Sequence, residues 1–86
     1  MSPRVRQDVT VQQVGDEVLV LDLKSEQIHQ LNPTAAWILS QCNGENSIEY
    51  ISGEFADYFS VDSDTAVRDV TGTIEKLNQA KVIELD

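Results

Sequence analysis

The sequence predicts an α+β domain in which a three-stranded antiparallel sheet is followed by three helices. Near the start, two runs of β-branched and aliphatic residues flank a Gly-Asp pair, which is typical of a β-hairpin. A third short run is followed directly by the start of a helix. Two residues indicate that start, because Asn32 can accept hydrogen bonds from free backbone donors and Pro33 suits the first helical position. Beyond this joint, apolar residues recur at helical spacing.

The hairpin is predicted over residues 9–14 and 18–23, with Gly15 and Asp16 in the turn. Three leucines alternate along its second strand and therefore share one face, which we expect to meet the core. They are Leu19, Leu21 and Leu23. The third strand, residues 27–31, mixes apolar and polar side chains on both faces. We therefore expect the fold to cover it only partly and to leave one edge unpaired.

Each of the three predicted helices has a capping residue and one apolar face. The first covers residues 33–42 and stops before Gly44, where glycine can take the left-handed conformation. Ser47 caps the second helix, and Asp62 or Ser63 caps the third. The predicted buried stripes are Ala35, Ile38, Leu39 and Cys42 in the first helix, Ile48, Ile51, Phe55 and Phe59 in the second, and Ala66, Val70, Ile74 and Leu77 in the third.

One small domain is predicted over residues 9–86, since a chain of 86 residues forms a single core and shows no repeat or linker. Residues 1–8 are predicted to form a flexible N-terminal arm, because Arg4 and Arg6 are not followed by an apolar stretch. Residues 82–85 are expected to be extended. No apolar run approaches the about 20 residues of a membrane span, so we expect a soluble protein in the cytoplasm.

The charged and reactive residues narrow the function classes. Fifteen acidic against six basic residues leave a formal net charge of −9, which disfavours binding to nucleic acid and to anionic membranes. Catalysis needs several convergent groups, but the chain has one histidine, His29, and one cysteine, Cys42. We expect Cys42 in the core, and we expect His29, on the third strand, to be exposed or at the edge of the ladder. No catalytic residue, metal site or cofactor is predicted.

Two glycines lie inside predicted helices, Gly53 in the second and Gly72 in the third. Each costs about 1 kcal/mol relative to alanine. Such a glycine is either tolerated at an exposed position or marks a close approach to the helix backbone.

Strands followed by three helices are also typical of a winged helix, whose third helix enters a DNA groove. Here that helix would present Arg68 and Lys76 to the phosphates. It would also present four carboxylates, those of Asp62, Asp64, Asp69 and Glu75. Because duplex binding depends on several cationic contacts, DNA binding is an alternative and not the main prediction.

One pattern covers the chain from about residue 9 to residue 84. It consists of the hairpin, the joint Leu31-Asn32-Pro33-Thr34-Ala35-Ala36, then Asn43-Gly44, and finally Asp69-Val70 followed by Ile74, Leu77, Ala80, Val82 and Ile83. This pattern resembles the PqqD family. Its members, also called RiPP recognition elements, hold ribosomally made precursor peptides for modifying enzymes. The resemblance implies a winged helix-turn-helix-like fold with three strands packed on three helices.

The resemblance also implies a peptide-binding site. In the family, the leader of the precursor adds as an extra strand to the third strand and lies against the third helix, so backbone groups set the register and side-chain pockets give selectivity. The predicted site comprises Gln27, Ile28, His29, Gln30 and Leu31 on the strand, and Val67, Thr71, Ile74 and Asn78 on one flank of the helix. The opposite flank, with Asp69 and Lys76, is the alternative.

The predicted function is that of a non-enzymatic peptide chaperone in the biosynthesis of pyrroloquinoline quinone or another modified peptide. It would present the leader to a modifying enzyme, which would be a radical S-adenosylmethionine enzyme in a quinone pathway. A protein–protein adaptor is a further alternative, and its surface would be the second-helix face with Tyr50, Glu54, Asp57 and Tyr58. An open strand edge also permits self-pairing, so monomer and homodimer both remain open.

Overall fold

Five strands and three helices make up the computed structural model, which describes residues 2–85. The strands are β1 (Arg4–Val5), β2 (Val9–Val14), β3 (Glu17–Asp22), β4 (Gln27–Leu31) and β5 (Ile83–Glu84). The helices are α1 (Pro33–Ser40), α2 (Ile48–Phe59) and α3 (Ser63–Gln79). The predicted order of a three-stranded sheet followed by three helices is therefore confirmed.

The three-stranded sheet is antiparallel and has the order β2-β3-β4, so β3 is central and both β2 and β4 are edges. The β2–β3 hairpin turns at Gly15 and Asp16, and Gly15 has a φ of 63°, which glycine adopts without steric cost. After β3, the side chain of Asp22 organises the next turn. Its Oδ1 accepts hydrogen bonds from the backbone N–H groups of Lys24 at 3.0 Å and Ser25 at 3.2 Å.

The face of this sheet that meets the helices is not the leucine face that the sequence predicts. Val20 is fully buried, whereas Leu23 is 65% exposed and Leu19 and Leu21 are half-buried. The inner face consists of alternate residues of β3 and β4, namely Val18, Val20, Asp22, His29 and Leu31. The prediction was wrong because alternation shows which residues share a face but not which face turns inward.

The three helix caps are confirmed as Asn32, Ser47 and Asp62. In each, a side-chain oxygen accepts a hydrogen bond from the backbone N–H three residues later, at 2.7, 3.0 and 2.7 Å respectively. The helices close over one core, whose buried apolar members are Val9, Val20, Ile38, Leu39, Cys42, Ile51, Phe55, Ala66, Val70, Ile74, Leu77, Val82 and Ile83. None of the helices within residues 2–85 is long and apolar enough to cross a membrane.

Residues 2–8 pack against the rest of the protein and do not form the arm that the sequence predicts. Strand β1 pairs antiparallel with β5, and Pro3 is fully buried. Arg4 Nη2 lies 3.1 Å from Glu84 Oε2. The prediction failed because a two-residue strand has no periodicity, and its pairing partner lies at the other end of the chain. Met1, which also belongs to the predicted arm, lies outside the described residues.

Candidate functional site

Strand β4 presents an open edge. It pairs with β3 on one side, and among residues 2–85 its backbone makes no hydrogen bond to any other strand or loop. An edge strand of this kind offers a row of N–H and C=O groups to a further strand. All five predicted strand residues of the site lie on β4, and Ile28 is 68% exposed on the outer face of the sheet.

A cleft of about 340 Å³ opens next to the C-terminal end of β4, between the β4–α1 joint and helix α3. Its lining residues are Asn32, Thr34, Arg68, Asp69, Gly72, Thr73 and Lys76. Residues 68, 72 and 76 follow each other at intervals of four and so run along one flank of α3. Because Asn32 directly follows the last residue of β4, the cleft adjoins the C-terminal end of this open strand.

The flank of α3 that lines the cleft is the alternative flank, with Asp69 and Lys76. None of the four helix residues in the predicted site lines it, that is, Val67, Thr71, Ile74 and Asn78. Ile74 belongs to the core, and Val67 is 52% exposed elsewhere on the helix. Both flanks border the same apolar stripe in the sequence. The rotation of α3 is set by its packing on α2 and α1, which the helical period alone does not reveal.

Gly72 lies in the wall of the cleft, midway along this flank. A Cβ placed on it would meet no atom within 4 Å, so the free protein does not need glycine there for lack of space. Gly53 on α2 has equally open surroundings but is not part of the cleft. The interior helical glycine was the sequence signal for this position. Its neighbours in the cleft, Arg68 and Thr73, carried no comparable signal.

Two cations in the cleft form no salt bridge with the described residues. Among residues 2–85, the carboxylates that lie within 4 Å of a basic nitrogen are paired with Arg4 and Arg6. Arg68 and Lys76 are in neither pair, and both line the cleft together with Asp69. The cleft therefore carries two positive charges and one negative charge in a chain whose net charge is −9.

His29 lies on the edge strand β4, as the ladder-edge alternative predicts, but its side chain is half-buried and not exposed. It points to the inner face opposite Val20, and its Nε2 is buried without a hydrogen-bond partner among the described residues. The reason is the register of β4, which turns residues 27, 29 and 31 inward. This ring nitrogen is thus an unpaired polar atom on the inner face of the open strand β4.

The single cysteine of the chain is enclosed by the core. Cys42 is in the core, as predicted, and its Sγ donates to the carbonyl of Ile38 at 3.3 Å. Burial raises the pKa of the Cys42 thiol to about 11, which makes it a poor nucleophile at neutral pH. Within residues 2–85, no three His, Cys, Asp or Glu side chains are grouped to hold a metal ion.

A larger cleft of about 810 Å³ lies at the β1–β5 end of the molecule. Residues 4–8 and 42–43 line it with Glu84, and its lining includes no residue of β2 or β4. Its two arginines are already engaged, Arg4 with Glu84 and Arg6 with Asp8. It is therefore separate from the open strand edge and has no free cation of its own.

The α2 face that the adaptor alternative invokes is exposed and aromatic. Tyr58 is 68% exposed, and its ring stacks on the indole of Trp37 with centroids 5.5 Å apart. Tyr50 is 52% exposed, and its hydroxyl donates to Glu54 Oε1 at 3.2 Å. This carboxylate raises the pKa of the Tyr50 hydroxyl. The face lies on a different helix from the one that lines the cleft beside β4.

Comparison with known proteins identifies the family of this fold. The family model of coenzyme PQQ synthesis protein D (PqqD) matches residues 17–83, which include β3, β4, the cleft and all three helices. The chain belongs to the PqqD family. The resemblance that rests on the Asn32-Pro33 joint and the helical pattern is thus confirmed. No curated protein matches the sequence.

Solved structures share the PqqD-family fold over nearly the whole chain. Lasso peptide synthetase B1, solved in complex with its leader peptide, is 24% identical with a TM-score of 0.87 over 99% of this chain and 100% of that one. TbiB1, in complex with the TbiA(beta) leader peptide, is 23% identical with a TM-score of 0.84 over 94% of both chains. The PqqD truncation of Methylobacterium extorquens PqqCD, a stand-alone RiPP recognition element, is 19% identical with a TM-score of 0.79 over 96% and 88%.

Proposed function

We propose that this protein is a non-enzymatic peptide chaperone that binds the leader of a ribosomally made precursor by strand addition to β4. The observation that carries the proposal is the open edge of β4 beside a cleft in a PqqD-family fold. Two proteins of similar fold, lasso peptide synthetase B1 and TbiB1, were solved with leader peptides bound. A third is described as a functional RiPP recognition element.

Strand addition divides recognition between the backbone and the side chains of the guest. The backbone of the guest pairs with the open N–H and C=O row of β4, which sets its register without regard to sequence. Side chains of the guest alternate between two faces. Those on the inner face reach the α3 flank with Gly72, and those on the outer face lie beside Ile28, which pairs with Leu21.

The chemistry of peptide modification belongs to a partner enzyme in this proposal. The single cysteine is a buried thiol with a raised pKa, and the single histidine is half-buried. In a quinone pathway the partner would be a radical S-adenosylmethionine enzyme. The protein would hold the leader so that the following segment of the precursor reaches that enzyme.

Peptide selection followed by NMR titration tests the proposal. Random linear peptides long enough to span β4 are displayed and selected on the full chain, and a selected peptide is titrated into isotope-labelled protein. We expect the largest amide shifts in β4 and in α3 residues 68–76. N-methylation of single peptide amides should abolish binding at every second position, because alternate amides of an added strand face its neighbour.

Three results would overturn the proposal. The first is that no displayed peptide binds. The second is that the amide shifts are confined to α2 or to β2, the second edge of the sheet. The third is retardation of duplex DNA in a gel at low salt that is lost at high salt, which would favour the winged-helix DNA-binding alternative.

A further inference from the structure

The six basic residues of this acidic chain fall into three pairs: two in salt bridges, two in the cleft beside α3, and Lys24 and Lys81 at exposed positions elsewhere. Of its six lysines and arginines, Arg4 and Arg6 are paired with carboxylates near the N-terminus. Arg68 and Lys76 have no carboxylate within 4 Å among the described residues, and both line the cleft beside β4. Their charges are therefore available to a molecule that enters the cleft.

Measured along the helix axis, the spacing of these two cations matches the repeat of an extended peptide that runs along α3. Arg68 and Lys76 are eight residues apart on α3 and are thus separated by about 12 Å along the helix axis. In a strand, side chains four residues apart share one face and are about 13 Å apart. Gly72 lies midway between the two cations and leaves space for the guest side chain at the intermediate position.

We propose that the cleft selects leaders that carry two acidic residues four positions apart on the face turned towards α3, one meeting Arg68 and the other meeting Lys76. The inference rests on the proposed function, because it requires an added strand on β4. It goes beyond that function by naming the charge and the spacing of the recognised peptide.

Other charged groups near the cleft act against this recognition. Asp69 lines the cleft beside Arg68, so the three charged residues of the lining leave a net charge of +1. Asp62, at the start of the same helix, is also close enough that, besides the hydrogen bonds from Thr65, the charge of Arg68 lowers the pKa of its carboxyl. The chain as a whole carries −9. Charges beyond about 8 Å are largely screened at physiological ionic strength. Selection therefore depends on short-range contacts in the cleft, and removal of the Asp69 charge should strengthen it.

The test compares charge reversal inside the cleft with an equal reversal outside it. The first variant is Arg68→Glu/Lys76→Glu. The control is Lys24→Glu/Lys81→Glu, which changes the net charge equally at exposed positions that do not line the cleft. The probes are three versions of one selected β4-binding peptide, with glutamate, glutamine or lysine at two inward positions four residues apart.

We expect the cleft variant to bind the diglutamate peptide about tenfold more weakly than the wild type does, and to bind the dilysine peptide more tightly than the diglutamate peptide. The control variant should change neither affinity by more than about twofold. Asp69→Asn should bind the diglutamate peptide more tightly. Thermal melting checks that the variants fold. If the Arg68→Glu/Lys76→Glu variant does not fold, Arg68→Gln/Lys76→Gln is used in its place.

The outcomes separate this inference from the proposed function. If the diglutamate and diglutamine peptides bind equally, or if both double variants weaken binding equally, the charge selectivity is refuted while strand addition at β4 stands. If no peptide shifts the amides of β4, both proposals fail.

Discussion

His29 stands directly opposite Val20 in the β3–β4 ladder, and its Nε2 is buried without a hydrogen-bond partner in the described part of the chain. A buried polar atom left unpaired costs about 1–3 kcal/mol. We predict that His29→Leu raises the free energy of unfolding by about 1 kcal/mol in urea denaturation. His29→Gln keeps a polar group at the same place and should show no gain. Equal stabilisation by both variants would contradict this explanation.

The two helical glycines provide a matched pair for the cleft. Gly72→Ala and Gly53→Ala should each raise the free energy of unfolding by about 0.5–1 kcal/mol, since neither added methyl meets an atom within 4 Å. Only the methyl at residue 72 enters the cleft. It should lower the affinity for a β4-binding peptide by about tenfold, measured by calorimetry, because an added methyl in a packed contact is destabilising. Equal affinities of the two variants would show that the guest does not reach Gly72.

The joint between sheet and helix depends on one capping hydrogen bond. Asn32 Oδ1 accepts from the backbone N–H of Ala35 at 2.7 Å. Asn32→Ala should lower the free energy of unfolding by about 1 kcal/mol, measured by thermal and urea denaturation. Asn32→Asp keeps the acceptor and should retain most of the stability. A loss of the same size in Asn32→Asp would mean that something other than the cap is responsible.

Two aspartates are predicted to make the free energy of unfolding fall at acid pH. Hydrogen bonds from Ser25, and also from Lys24, hold the pKa of Asp22 below its usual value, and those from Thr65 do the same for the pKa of Asp62. The folded state therefore binds fewer protons than the unfolded state. The stabilisation is complete above the unfolded pKa of about 3.9 and is lost as the pH falls through the folded pKa.

The double variant Asp22→Asn/Asp62→Asn checks this assignment. Asparagine keeps an acceptor oxygen at each position but does not titrate. The free energy of unfolding should therefore depend less on pH below about 4 than in the wild type. If the pH dependence in urea titrations is unchanged, other carboxylates cause the loss of stability at low pH.

Cys42 should be protected from alkylation by the fold. Burial raises the pKa of its thiol to about 11, so little thiolate exists at pH 8. We predict that iodoacetamide modifies the native protein far more slowly than the urea-unfolded protein, as followed by mass spectrometry. Similar rates in the two states would show that the helix end around Cys42 opens readily.

Local signals in the sequence predicted β2, β3, β4, the three helices and the family correctly. The caps at Asn32, Ser47 and Asp62 depend on hydrogen bonds that span three residues, so the chain near each position contains the whole interaction. The same holds for the Gly15-Asp16 turn and for the alternation that marks β4 as a strand. Helical period likewise identified the stripe of α3 that enters the core.

Positions that depend on distant partners were not determined in this way. Strand β1 exists because β5 lies beside it at the other end of the chain, so the sequence around Arg4 contains no sign of it. The two faces of β3 are almost equally apolar, and only packing on the helices chose the face with Val20 over the face with Leu21.

The sequence by itself determined the order of β2, β3, β4 and the three helices, their caps, the strand that keeps an open edge and the PqqD-family membership. Only the tertiary structure decided that the cleft is lined by Arg68, Gly72 and Lys76 and not by the flank with Val67. The physical reason is that the rotation of α3 follows from how it packs on α1 and α2, which its own helical period does not reveal. Periodicity names the residues that share a face, but the neighbouring layers decide what that face meets.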